Sequence, residues 1–585
     1  IKVANKLFPN YEFIHSNFED YVKALRKDLP KNLTTISGEL TSQDTDGWYT
    51  LANTASSRVY LKQANTKAER LLEDKVEPIF LLDHAISSSN QDKLDYAWRE
   101  LLQNNPHDSI SGTGVDEVHR GMMNRYAKVN QIGRSLSETA LNTFSKRVAT
   151  VSLPESARPF VIINPSGVTR WEETTVTVEV HRELFSDGTP PQAYKKCQNY
   201  LDEHPNYQVF DSTGKAVPFR INKKYVKFGY ELPERTFRIP YMAAYVEIAI
   251  TPEIKPFSWI TLYVDNAQAD RSKQQQIGVK NYIKNKQLKV EVSENGEIKV
   301  YGSQGKLRTT INLVDTGDIG NEYIYKQSAD KKKIVFDSKI SALRSKSTIG
   351  GQKLSFEQKV KLPISADKEL QHEQKATIEI THRTAERAKQ LREFKVKVEL
   401  TLMNSDRYLA IKISGNNQIK DHRLRAVFST NLQVPTNDSD SIFEVVTREN
   451  KVGKNWKNPE NSQHQQAFVS LHDQNEGIVV GNYGLNEYEV NPTGSKVAVT
   501  LLRCVGEMGD WGYFPTKDSQ CLGKFSVNLA LYLTDGSNKE QLDAYQTMKA
   551  KQIALINKQL AVHDGTEKMN AQYLKISNPA FAITA

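Results

Sequence analysis

The residues best suited to chemistry lie in one short run, Asn105-Pro106-His107-Asp108-Ser109-Ile110-Ser111-Gly112-Thr113-Gly114-Val115-Asp116-Glu117. Pro106 cannot continue a helix, and the Ser/Gly/Thr stretch can start one, so the run reads as a tight polar turn between two helices. Such a turn holds His107 and Asp108 rigidly at a helix end. An imidazole there can offer a ring nitrogen to a divalent metal. A carboxylate there can accept hydrogen bonds from sugar hydroxyls. A His-Asp pair can also merely cap neighbouring backbone, and for these two residues alone capping is the weightier reading. His472-Asp473 and His563-Asp564 repeat the pair in β-rich surroundings that match no metal segment, where a turn or surface role suits them.

Helices must position the turn. In RVYLKQANTKAERLLEDKVEP, Leu61, Ala64, Ala68, Leu71 and Leu72 recur at helical spacing, and Pro78 is expected to stop that helix. A second helix carries Leu94, Ala97, Trp98, Leu101 and Leu102 on one face and ends at Pro106. A third starts near Thr113, with Thr113 as cap and Asp116 as its reciprocal partner. Val115, Val118, Met122, Tyr126, Val129, Leu136, Ala140 and Phe144 give it a long apolar stripe. Three amphipathic helices of this kind can bury their stripes against each other as a bundle over residues 59–150.

From about residue 155 the pattern turns to β. Val176, Val178 and Val180 alternate, as do Val246, Ile248 and Ile250. LKVEVSENGEIKVY, with Asn295-Gly296 at its tip, predicts a hairpin. ADRSKQQQ marks a boundary near 269, so the expectation is a small β domain over 151–268 and a large β-sandwich over 269–585. Residues 539–560, rich in Lys, Gln and Ala, can form a helix. The last residues, PAFAITA, stop inside what reads as a strand, so the large domain is expected to be truncated at its C-terminus.

Composition narrows the class. The chain has 585 residues, 38% hydrophobic and 25% charged, the balance of a multidomain globular protein. No apolar stretch reaches membrane-spanning length, and basic and aromatic residues do not interleave as in nucleic-acid binders. Cys197, Cys504 and Cys521 are far apart and odd in number, which argues against a disulfide framework and for a cytoplasmic home. Oligomeric state, including a homo-oligomer, is left open.

The wider run NNPHDSISGTGVDEVH resembles the HD-[S/A]-I-x-G-T segment of glycoside hydrolase family 38 α-mannosidases, in its bacterial version. SSRVYLKQANTKAERLLE upstream, and VIINPSG, GDIGNEYIY, LHDQNEGIVVGNYGLNEYEV and VTLLRCVGEMG downstream, are similar to successive family segments in the same order. The resemblance implies a zinc-dependent retaining α-mannosidase that forms a covalent mannosyl-enzyme and acts on mannose-containing oligosaccharides. It makes residues 1–58 the tail of the family's catalytic α/β barrel. The overall expectation is thus an α+β multidomain chain of barrel remnant, three-helix bundle and β-sandwich domains.

The family's metal-binding His maps to His107 and its sugar-contacting Asp to Asp108. Tyr323, in GNEYIY, matches a Tyr that reaches the sugar from the β region; its other role is a half-buried aromatic on a strand. For the general acid, Asp46 is the best positional match, with Asp44 and Glu39 as rivals; Asp46-Gly47 is also a good turn dipeptide. The chain departs from the family in one respect. None of its twelve histidines is followed by x-Asp, so the early zinc ligands and the nucleophile are not in this chain. One imidazole falls short of the roughly four ligands a zinc site needs, and the chain alone is expected to be inactive. A mannosyl-glycerate or 6-phosphomannosyl-glycerate hydrolase, and a non-catalytic carbohydrate-binding protein, are the competing functions.

Overall fold

Apolar periodicity between residues 59 and 145 is realised as helix in the computed structural model, which describes residues 1–35, 39, 50–83, 88–233, 235–273, 275–458, 460–509 and 512–578. The chain divides into two units, Ile1–Thr41 and Ser42–Ala585. The first holds helices α1 (Lys2–Leu7) and α2 (Phe18–Asp28), the latter capped by the Asn17 side chain, which accepts from Asp20 N. Its acidic first turn and basic last turn match the helix dipole.

In the second unit, α3 (Val59–Leu71) does not stop at Pro78. It passes through a π turn, Leu72–Val76, into α4 (Glu77–Asp83). The wider turn sits just where the proline ring would clash with the preceding carbonyls, so the axis continues past it. Next come α5 (Ser88–Leu102), the single turn α6 (His107–Ile110) and the long α7 (Asp116–Ser145). The apolar faces of α3, α4, α5 and α7 share one core, including Leu61, Leu72, Leu94, Leu101, Tyr126 and Leu136. Gly133 of α7 allows close approach to α3, since a Cβ there would meet Leu71 Cδ2 at 2.7 Å. Leu102, Val115 and Val118, assigned by spacing to apolar faces, are exposed. Thr113 does not cap α7, whose N-cap is Val115; the Thr113 hydroxyl meets Ser111 Oγ at 2.6 Å.

Among the described residues the paired strands of the sheets run antiparallel. Alternation along Arg158–Asn164 sends Val161 and Ile163 to the helices and Phe160 and Ile162 to a second core. That core is closed by the three-stranded sheet of Thr174–Leu184, Ile239–Ile250 and Phe219–Glu231. Further on, a nine-stranded and a ten-stranded sheet share the largest core. The hairpin Leu288–Val292/Ile298–Gly302 forms with Gly296 at φ +87°. The helix expected near the chain's end is Asn538–Ala550.

After that helix the chain does not stay with the large sandwich. Ile556–Gln559 pairs with Arg158–Asn164, returning to the small sheet. The return is pinned by charge. Arg170 Nη1 donates to Ala550 O at 2.9 Å, and Lys551 Nζ donates to Glu172 Oε2 at 2.8 Å. Burial opposes ionisation of Glu172, but Lys551 and Arg170 outweigh it and hold the carboxyl at about 2. Its folded pKa lies below the unfolded one, so its stabilisation is present above about pH 4.5 and vanishes as pH falls through about 2. Denaturant titrations should show the wild type's advantage over Glu172→Gln, on the order of 3 kcal/mol near neutrality, shrinking towards zero at about pH 2. A pH-independent difference would refute that assignment.

Among the described residues no helix is long and apolar enough to cross a membrane.

Candidate functional site

The corner after α5 is built as a platform. Ser109 N and Ile110 N donate to Pro106 O and close α6, and Gly112, at φ +76°, reverses the chain. A Cβ at Gly112 would lie 3.0 Å from Ser57 O, so the position needs glycine for both conformation and space. The His107 and Asp108 side chains are 95% and 75% exposed. Among the described residues neither caps backbone. Their close polar contact is with each other, His107 Nε2 to Asp108 Oδ1 at 3.5 Å.

The backbone beneath them is clamped. Lys62 Nζ donates to Ser57 O at 2.5 Å and to Ser111 O at 2.8 Å. Arg58 donates from Nε to Gly112 O at 3.2 Å and from Nη2 to Gly114 O at 3.0 Å. Arg58 Nη2 also meets Asp116 Oδ1 at 2.8 Å and Glu322 Oε1 at 2.9 Å. Asp116, expected only as a cap partner, also accepts from Lys517 N and Asp518 N, tying α7 to the β region. Burial lowers Lys62 to about 7, and burial raises Glu322 to about 7 against the pull of Arg58.

His107, Ile110, Ser111, Asn65, His464 and Asn486 are among the residues lining a cleft of about 440 Å³. Leu51, at φ 50°, lies on its wall and also on that of a second cleft of about 360 Å³. Tyr323 lines this second cleft with Ile378, Arg383 and Glu507. Tyr323 is half-buried, as one of its two readings had it, but in a loop rather than on a strand. The loop is fixed from within: Asp318 Oδ1 accepts from Gly320 N, and Asn321 Oδ1 from Tyr323 N and Ile324 N. From outside, Tyr325 N donates to Asn53 Oδ1 at 2.8 Å. Arg503, fully buried, donates to Asp318 Oδ2, Glu322 O and Asn321 O.

The structure therefore sets His107 and Asp108 together on one corner and puts Tyr323 in a neighbouring cleft. Asp46 and Asp44 lie outside the described residues; Glu39 is half-buried. His472 Nε2 bonds Asp438 Oδ2 at 2.9 Å, and His563 bonds backbone carbonyls, so both serve structural contacts. Among the described residues no group of three or more His, Cys, Asp or Glu side chains could hold a metal ion. His107 is a single candidate ligand, and the described residues alone do not make a zinc site. Arg58, Lys62, Asn53 and Glu322 were not legible as site residues. Their partners lie up to 450 residues away, and no local pattern marks a polar group that will be buried.

Three family models match in chain order: the alpha mannosidase middle domain over residues 50–144, glycosyl hydrolases family 38 C-terminal domain 1 over 155–265, and the family 38 C-terminal domain over 283–507. The crystal structure of an alpha-mannosidase from Enterococcus faecalis V583 is 42% identical with a TM-score of 0.92, over 99% of this chain and 66% of that one. Another family 38 structure from Enterococcus faecalis is 40% identical with a TM-score of 0.87, over 98% of this chain and 66% of that one. A protein of Halalkalibacterium halodurans, provisionally named a mannosylglycerate hydrolase, is 33% identical over 544 residues, 91% of this chain and 60% of its own. The chain thus spans about two thirds or less of the relatives it matches.

Proposed function

The chain belongs to glycosyl hydrolase family 38, a family of glycoside hydrolases, and on that premise we propose that the whole protein is a zinc-dependent retaining α-mannosidase. The supporting observation is the corner itself: an exposed imidazole and carboxylate on a backbone clamped by Arg58 and Lys62, with His107 lining a cleft. His107 is one ligand of the metal, and the family's early His-x-Asp ligand pair has no counterpart among this chain's twelve histidines. Asp108 accepts hydrogen bonds from mannosyl hydroxyls, and Tyr323 meets the sugar from the second cleft. Asp46 protonates the leaving oxygen and then deprotonates water, with Asp44 and Glu39 as rivals. The substrate carries a terminal α-mannosyl group on an oligosaccharide. A mannosyl-glycerate, or its 6-phospho form, is the second reading, favoured by the name of the Halalkalibacterium relative.

The test assays the whole protein against α-1,2-, α-1,3- and α-1,6-mannobiose, mannosyl-glycerate and its 6-phospho form, with and without a zinc chelator. Hydrolysis with retained anomeric configuration, lost on chelation and restored by zinc, is expected. Inversion, or full activity after chelation, refutes the proposal. The 585-residue chain titrated calorimetrically with zinc should give no tight one-to-one isotherm, since one imidazole is too few ligands.

A further inference from the structure

We infer that the Arg58–Glu322 pair is a positioning device that sets the metal-binding corner against the sugar-contacting loop. The inference rests on the function proposed above. Arg58 lies at the start of α3 in the left-handed region, φ 47°, and its side chain is fully buried. Its guanidinium reaches two segments at once. Towards the corner it donates to Gly112 O and Gly114 O, a few residues after His107 and Asp108. Towards the β region it meets Glu322, the residue before Tyr323. Lys62, one turn on, holds Ser111 O from the same helix. Arg503 holds the far side of the Tyr323 loop through the carbonyls of Asn321 and Glu322. The two candidate contact points of the substrate are therefore tied to a single planar group.

The chemistry of that group supports a geometric role. A guanidinium offers five donors in a fixed fork, whereas a lysine in its place offers one point of charge. Burying an ion pair is a poor way to gain stability, because desolvation offsets the attraction; an apolar pair of similar volume often does as well. Fixed direction is what this pair supplies and an apolar pair lacks. A misplacement of about 1 Å between a catalytic group and the substrate can cost on the order of a hundredfold in rate.

The test uses the whole protein with Arg58→Lys, Glu322→Gln and the double variant Arg58→Met/Glu322→Met, reading kcat and KM separately, zinc affinity and Tm. Glu322→Gln, which keeps size and shape, should lower kcat ten- to a hundredfold and leave KM within about threefold. Arg58→Lys should not rescue kcat, although it keeps the charge. The double variant should regain Tm relative to Arg58→Lys without regaining kcat. The inference is overturned if kcat of Glu322→Gln stays within twofold of wild type, or if kcat follows Tm across all three variants. A wild-type protein with no mannoside hydrolysis would instead defeat the proposed function. In that case the zinc affinity of Glu322→Gln still decides the inference: a tenfold loss supports it, and no change overturns it.

Discussion

Replacing His107 with alanine should leave the 585-residue chain as stable as before, within about 0.5 kcal/mol, while lowering hydrolysis by the whole protein at least a hundredfold. The two halves of this expectation have different causes. The side chain is 95% exposed and supports no packing, and the corner beneath it is held by Pro106 O, Gly112 and the Arg58 and Lys62 donors. Removing the imidazole therefore removes nothing the fold uses. Loss of a residue that only orients a metal ligand already costs about 10- to 100-fold, and loss of a ligand costs more. Denaturant titration of the chain and kcat/KM of the whole protein check the two halves. A destabilisation above about 1 kcal/mol would make His107 a packing residue. Unchanged kcat/KM would remove it from the metal site. Asp108→Asn, at a side chain that is also largely exposed, should likewise be silent in stability but should act on sugar binding, raising KM.

How much of this could be read in advance depends on how local each signal is. The corner was legible because Pro106, the Ser/Gly/Thr stretch and the flanking helical stripes all lie within a few turns of His107. The π turn at Leu72–Val76 was not, because the rule that proline stops a helix assumes unbroken α geometry, and a wider turn just upstream escapes it. Val115 and Val118 fit the helical period but stay in water, since periodicity cannot say which part of a thirty-residue helix has a neighbour. Asp116 looked like half of a capping box. Its true partners, Arg58 and the backbone at Lys517 and Asp518, lie on distant parts of the chain. The return of Ile556–Gln559 to the small sheet was hidden for the same reason: alternation specifies a strand but not the strand it pairs with. The candidate site therefore divides. Its exposed chemistry is written in one segment, and its support is written in separated residues that only folding brings together.

That division gives the last expectation its force. Gly320 carries no functional group and lies in a loop, yet Gly320→Ala should be among the most damaging small changes in the chain. A Cβ there would lie 2.0 Å from Ile324 O and 2.9 Å from Lys326 N, and both are backbone atoms with no side-chain freedom to yield. To admit the methyl, the carbonyl of Ile324 must swing away. It would then lose Asn321 N, which donates to it at 3.0 Å, and disturb the neighbouring link from Tyr325 N to Asn53. The expected cost is about 2–4 kcal/mol from overpacking and lost hydrogen bonds. Tyr323 sits between these anchors, so its ring should move and kcat/KM of the whole protein should fall by on the order of a hundredfold. Gly121→Ala in α7 is the control: a Cβ there meets nothing within 4 Å, so alanine should stabilise the helix by up to about 1 kcal/mol. If Gly320→Ala is tolerated as well as Gly121→Ala, the loop is looser than its contacts require, and Tyr323 is not held where a sugar could depend on it.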